Sequence, residues 1–458
     1  MQSSHEQAVN VQHAIDGAKV SSLQWKIIIC CFLIVAADGL DTAAIGFIAP
    51  AIMAEWGLSR PALTPLFMSG LLGLTLGALL FGPLADRLGR KNILIFSTFF
   101  FGLMCLLSAF SPNLTVLTVL RFLTGIGLGG AMPTAITLTS EFLPVRRRSA
   151  LVTMMFCGFT LGSALGGVLT AQLLPAIHWQ GMLILGGVLP LVLVLFLLVL
   201  LEESPRYRLL KKQSAEQMLS LMRRLTGVNY GPQTAFFLPE NKTGKSAISA
   251  LFQKNLVVIT VVLWCAFFMS LLVIYMLSSW LPTLLAGIGI DLEHASWITA
   301  AFQIGGTLGA LSLGMLMDKQ NPYKVLIVSY AMGGVFIASM GTASVSIPLL
   351  VLVIFGAGVG VSGAQVGFNA LVATLYPTEC RATGVSWSNA MGRCGAIFGA
   401  LAGGAMISWE LSFSTIFMLL GIPAMITALC LVILLQIARA KRQSAEPPLS
   451  AAAAQEAA

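Results

Sequence analysis

Two aspartates, Asp38 and Asp41, stand three residues apart inside an otherwise apolar run from Ile27 to Met53, and Arg121 and Arg393 sit within two further apolar runs. A charge in such a run is costly unless it faces water or an opposite charge, so these four are the first residues to ask about chemistry. At i and i+3 the two carboxylates share a helix face, roughly 5–6 Å apart. At an effective dielectric of about 20 they repel by roughly 3 kcal/mol, which favours one proton held between them. The pair therefore suits the loading and release of a proton, with Arg121 as the modulating charge. Arg393 carries a planar fork matched to a carboxylate. In a competing reading the acids are fixed ion pairs with the two arginines and only hold helices together.

The elements that position these charges follow from composition. Of 458 residues, 57 % are hydrophobic and 10 % charged, against about 25 % charged in an ordinary soluble domain. Twelve apolar windows recur along the chain, each near the roughly 20 residues that cross a hydrocarbon core as a helix. The expected fold is an all-α polytopic membrane protein with two six-helix bundles. Residues 1–26 form an N-terminal segment, 27–201 the first bundle, 202–254 a linker, 255–438 the second bundle and 439–458 a tail. At 1.5 Å per residue, Asp38 lies roughly 16 Å into the first span, Asp41 roughly 21 Å, and Arg393 about 15 Å into the eleventh. Arg121, in the fourth span, falls near the depth of Asp41.

The net charge of +8 comes from 26 Lys and Arg against 18 Asp and Glu. With the N-terminus inside, these bases gather in the inner loops, and Arg60 is the only one in an outer loop. That bias sets both termini in the cytoplasm and leaves no reason to invoke nucleic acid, the expected location being a cell inner membrane. The first span serves as a retained insertion signal, because residues 1–25 lack an apolar core. The eight cysteines show no CxxC pair and the four histidines are scattered, which argues against a metal centre, a cofactor or an embedded enzyme. The linker, with Lys211, Lys212, Arg223, Arg224, Lys242 and Lys245, reads as solvated.

The two halves repeat. "TLGALLFGPLADR" at 75–87 matches "TLGALSLGMLMDK" at 307–319 with a constant offset of 232 residues. Asp86 answers Asp318, and each acid closes the second span of its half ahead of a base. Glu141 to Arg148 and the later Glu379 and Arg381 form a looser pair. Such repeats mark secondary transporters, whose substrate site lies near the midplane between the halves.

"GPLADRLGRK" at 82–91, "RFLTGIGLGG" at 121–130 and "LEESPRY" after the sixth span resemble the loop and helix motifs of the major facilitator superfamily. Within it, "DGLDTAAIGFIAPAI" and "YPTECRATGVSWSNAMGRCGAIFG" are similar to the markers of the aromatic acid:proton symporters, most of all the 4-hydroxybenzoate and protocatechuate permeases. The resemblance implies alternating-access import of an aromatic carboxylate with protons by a chain that works as a monomer in the lipid bilayer. Carriers of benzoate, vanillate or cis,cis-muconate, and sugar or drug carriers, are the alternatives. An aromatic substrate implies aromatic lining, for which Phe159, Trp264, Phe268, Tyr275, Phe302, Phe368 and Trp387 are candidates. Gln303, Gln365, Asn369 and Asn389 could bond a ring hydroxyl. In the superfamily the loop resembles a latch. That reading assigns gating to Gly82, Asp86, Arg87, Gly89, Arg90, Glu141, Asp318 and Arg381, with Gly82 and Gly89 allowing close approach and a sharp turn. The second copy has Gln320, Asn321 and Pro322 in place of the expected Gly and Arg, which implies a weaker latch.

Overall fold

The computed structural model describes residues 8–211, 214–232, 234–237, 251–253, 256–376 and 380–445, with side chains described except at 149, 373, 381, 382 and 441–445. Among these residues eleven helices are long and apolar enough to cross a membrane. The first four spans are Ser22–Trp56, Thr64–Leu88, Arg90–Ser108 and Leu114–Phe142. Val145–Leu200 is one run of 56 residues, about 84 Å at 1.5 Å per residue against a hydrocarbon core of about 30 Å, so it holds two crossings. The break is at His178, whose φ of 57° departs from the helix just after Pro175. Gly166 and Gly186 both come back beside Leu40, so the chain reverses between them. The seventh to ninth spans are Val257–Gly287, Leu292–Lys319 and Pro322–Ala343. The tenth runs from Ile347–Ala357 through a π turn at Gly358–Gly363 into Ala364–Leu375, and Arg381–Ser408 and Phe413–Ala445 complete the twelve.

Several spans start on a side chain that satisfies otherwise orphaned N–H groups. Ser21 and Gln24 form a capping box on the first, Asn113 caps the fourth, Asp291 the eighth and Asn321 the ninth. Between spans, a glycine lets one backbone press against another. Gly77 of the second span faces the carbonyl of Ile126 in the fourth, and its repeat partner Gly309 in the eighth faces Val359 in the tenth. The sequence repeat is thus also a packing repeat.

We call the end carrying the loop at 82–91 and the N-terminal segment the basic end. There the polar segments are more ordered than their composition suggests. Ala8–Asn10 pairs as a parallel strand with Ala235–Phe237 of the linker. Helix Val11–Gly17 and linker helix Ala215–Thr226 bury Val11, Ile15, Met218, Leu221, Met222 and Leu225 in a cluster continuous with the first bundle. Asp16 also accepts from Val145 N at 2.8 Å. The linker helix carries a narrow apolar stripe that overall polarity conceals. Lys212, Lys242 and Lys245 lie outside the described residues.

The halves meet towards the opposite end. Arg60 lies against Gly287, Thr64 against Gly404 and Gly46 against Ser278, and the Phe67 and Trp280 rings pack edge to face at 4.8 Å. Towards the basic end the second and eighth spans expose Leu79 and Met315.

Candidate functional site

The four buried charges converge where the halves approach. Arg121 Nη1 donates to Asp41 Oδ1 at 3.0 Å, with 4 % and 3 % of these side chains exposed. The rest of the guanidinium is also committed: Nε and Nη2 donate to Ser108 Oγ at 3.3 and 3.1 Å, and Nη2 donates to Thr124 Oγ1 at 3.0 Å. Asp38, one turn before Asp41, is fully buried. Its Oδ1 accepts from Thr42 Oγ1 at 3.1 Å, and its Oδ2 has no hydrogen-bond partner among the described residues. Arg393 reaches across to the first bundle, where Nη1 donates to Leu74 O at 3.4 Å. Its charge and that of Asp38 lie close enough to act on each other without an ion pair being formed. Tyr275 completes the group, lining with Asp41, Thr42, Arg121 and Ser279 a cavity of about 50 Å³.

The uncommitted pair is therefore Asp38 and Arg393. A larger cavity, about 470 Å³, lies towards the opposite end and is lined by Glu55, Thr170, His178, Trp179 and Glu293. Its two acids disfavour an anion.

The remaining binding candidates separate. Gln303 Nε2 donates to Ser278 Oγ at 3.2 Å, and Gln365 and Asn369 belong to one network in the tenth span. Asn389 donates to its own helix at Val385 O, 3.0 Å. Phe302 and Phe368 are fully buried, and the Phe368 ring packs between Phe267 and Tyr330. Trp264 and Trp387 stack on each other at 5.7 Å. Trp387 is six residues from Arg393, about 120° around the helix, on the exposed face with Cys394, Phe398 and Leu401. Trp387 thus lies on a different face of the helix from the arginine. Phe268 packs on Phe398 of that outward face and Phe159 stacks on Phe156.

The Major Facilitator Superfamily profile matches residues 31–292 and 263–456. The chain belongs to the major facilitator superfamily. It is 46 % identical to a gallate transporter of Pseudomonas putida, covering 92 % of this chain and 94 % of that one. It is 44 % identical to the 4-hydroxybenzoate transporter PcaK of Pseudomonas aeruginosa, covering 91 % and 93 %. In fold it is similar to the inward-open xylose transporter XylE of Escherichia coli, with a TM-score of 0.70 at 18 % identity over 89 % of this chain and 95 % of that one. This major facilitator is a membrane transporter and not an enzyme.

At the basic end of this major facilitator the gating candidates form a network within the first bundle. Gly89 has a φ of 103°, which sets the sharp turn between the second and third spans. Arg90, almost fully buried, donates to Asp86 Oδ1 at 2.7 Å and reaches Glu141 Oε2 at 3.3 Å. Tyr207 OH donates to Arg87 O at 3.2 Å. Gly82 is different: a Cβ there would meet open space. The expected close approach at Gly82 is absent, although Phe81 and Ala85 on other faces of the same turn stay packed against Ile93. Asp318 is exposed, and the side chain of Arg381 lies outside the described ones.

Two residues just after the sixth span, Glu203 and Ser204, join this network. Glu203 accepts from the backbone N–H groups of Arg90, Lys91 and Ser204 at 3.1, 3.2 and 2.8 Å, capping the third span with its carboxylate. Burial pushes the Glu203 carboxyl up from its ordinary value, opposed by those three N–H donors and by the Arg90 charge. Ser204 Oγ donates to Glu141 Oε2. Both residues stand in "LEESPRY", and an acid with a serine just after a span is the signal that could have found them. Ser108, Thr124 and Thr42 left none, since hydroxyls are common in oily helices.

Proposed function

We propose that this protein is a proton-coupled importer of aromatic carboxylates, with 4-hydroxybenzoate, protocatechuate or gallate as the substrate class. The observation that carries the reading is the uncommitted Asp38 and Arg393 pair beside a closed Asp41–Arg121 pair. With Asp38 ionised and no substrate, the Asp38 and Arg393 charges offset each other. With Asp38 protonated, Arg393 is left uncompensated and recruits a carboxylate, which restores neutrality. Either half-loaded state buries a net charge, which is costly in a medium of low dielectric. Proton and anion therefore travel together, and the empty and doubly loaded carriers are the two states able to reorient. The substrate names of the relatives support the aromatic acid, and "DGLDTAAIGFIAPAI" supports the coupling.

The orientation is both termini in the cytoplasm of a cell inner membrane, supported by the gathering of bases at one end. Contacts between halves towards the opposite end then make this arrangement inward-facing. One chain contains both halves of the site, consistent with action as a monomer. Alternating access follows as rocking of the two repeats about the charged centre.

The test is uptake of labelled 4-hydroxybenzoate into proteoliposomes under an imposed pH gradient, with protocatechuate, gallate, vanillate, benzoate, cis,cis-muconate and xylose as competitors. Accumulation is expected with the gradient acid outside, accompanied by proton influx and inhibited by the hydroxylated benzoates. Accumulation without proton entry, or inhibition by the sugar alone, would overturn the reading.

A further inference from the structure

The connection between the fourth and fifth spans is held from outside itself. The fourth span ends at Phe142 and the fifth begins at Val145, and such ends leave carbonyls and N–H groups without partners in their own helices. Residues near the N-terminus supply what is missing. Gln24 Nε2 donates to Phe142 O at 2.6 Å, and Asp16 Oδ1 accepts from Val145 N at 2.8 Å. Pro144, which leads into the fifth span, makes no side-chain cap, so Asp16 caps that helix from 129 residues away. Arg148 Nη2 donates both to Leu143 O at 3.2 Å and to Gln12 Oε1 at 3.1 Å, and Gln12 Nε2 donates to Asp16 Oδ1 at 2.9 Å.

The N-terminal segment that does this is itself anchored, through its strand paired with Ala235–Phe237 and its buried Val11 and Ile15. The linker helix beneath it is tied to the end of the sixth span, where Arg224 Nη1 donates to Glu202 Oε1 at 2.6 Å. Glu141, the residue before Phe142, is where the anchoring has a consequence. Its carboxylate meets Arg90 through two contacts of 3.3 Å each and accepts from Ser204 Oγ. Contacts of that length cease to be hydrogen bonds by about 3.6 Å, so a shift of a few tenths of an ångström in the connection breaks them.

We propose that Asp16 and Gln12 are positioning residues for the gate at the basic end: they cap the fifth span and, through Arg148, the carbonyl of Leu143, and so hold Glu141 where it meets Arg90 and Ser204. The N-terminal segment is then a strap that sets the rate at which the basic end opens and closes, without touching substrate. The inference rests on the transport reading and on the gating role of Glu141, and it deepens them by naming what holds the gate in register.

The experiment measures uptake of labelled 4-hydroxybenzoate into proteoliposomes, normalised to protein recovered as a single gel-filtration peak. Asp16→Ala is expected to lower the maximal rate about fivefold, the equivalent of a lost helix cap. KM should stay within about twofold of the parent, because Asp38 lies roughly 24 Å along the first span from its start at Ser22. Asp16→Asn keeps an acceptor for Val145 N and is expected to retain about half the parent rate or more. Glu141→Gln should itself slow transport, and in that background Asp16→Ala is expected to cost less than about twofold, because the charge it positions is gone. Packing damage alone would multiply the two losses. If Asp16→Ala does not fold, the half-buried Gln12→Ala runs the same cycle, with an expected loss of about threefold that again vanishes in Glu141→Gln. Full losses in the Glu141→Gln background, a raised KM at an unchanged maximal rate, or parent-like rates in Asp16→Ala or Glu141→Gln would overturn the proposal. An unmodified protein that takes up no 4-hydroxybenzoate would instead overturn the transport reading on which it rests.

Discussion

Asp41 and Arg121 form a closed pair, while Asp38, one turn away on the same helix, keeps a buried carboxylate oxygen with no hydrogen-bond partner among the described residues. Two acids that look equivalent in the chain are thus divided into a structural one and an uncommitted one. Asp41 makes the kind of ion pair that the competing expectation describes, and under the function proposed above the proton is handled by Asp38.

Asp38→Asn is expected to separate transport from coupling. The amide keeps the shape and the Thr42 contact but cannot ionise, so Arg393 stays uncompensated and holds anion. Exchange of internal for external labelled substrate should persist, while accumulation driven by a pH gradient falls to the equilibrium level. Full gradient-driven accumulation in this variant would move the proton to another group.

Asp41→Asn should act on assembly. Removing one partner of a buried ion pair leaves an unpaired charge, at a cost of about 3–5 kcal/mol. The thermal midpoint in detergent is expected to drop clearly, and the double variant Asp41→Asn with Arg121→Gln to recover part of the loss. A single variant as stable as the parent would contradict the role of the pair.

Arg393→Ala should weaken binding of the aromatic acid by about 10- to 100-fold, the range of a hydrogen bond to a charged group at roughly 1.5–3 kcal/mol. Arg393→Lys retains charge without the fork and is expected to fall between the two. Equilibrium binding of labelled acid to purified protein measures both, and unchanged affinity in the alanine variant would remove Arg393 from the site.

Glu203 gives the basic end a pH dependence. Its carboxyl is raised in the folded protein by burial, so the folded state holds the proton to higher pH than the unfolded chain does. The stabilisation is complete below the ordinary glutamate range and is lost as pH rises through the raised folded value. Glu203→Gln keeps an acceptor for the three N–H groups and cannot titrate. Thermal midpoints measured across that window should slope downward with pH in the parent and flatten in the variant.

Gly77 and Gly82 lie on the same span and should differ. A Cβ at Gly77 would collide with the Ile126 carbonyl, whereas at Gly82 it meets open space. Overpacking costs about 1–3 kcal/mol, so Gly77→Ala is expected to lower the thermal midpoint and Gly82→Ala to leave it unchanged. If Gly82→Ala slows transport without that change, the position matters in a state where the basic end is closed.

Much of this molecule is readable along the chain. Twelve apolar runs and the 232-residue repeat specify two six-helix bundles, because a backbone in lipid must satisfy its own hydrogen bonds and so has few forms open to it. The repeat also foretells that Gly77 and Gly309 do the same work. Polar composition, by contrast, hides the order of the linker helix, since four apolar residues suffice once a partner surface covers them.

The sequence by itself determined that the chain is a membrane transporter with two acids and two arginines in its oily spans, because the cost of an intramembrane charge makes each one conspicuous. Only the tertiary structure decided that Asp41 closes on Arg121 while Asp38 stays open, and that Trp264 and Trp387 stack on each other. Those facts depend on which face of each helix meets which neighbour, and a face is chosen by packing between segments far apart in the chain.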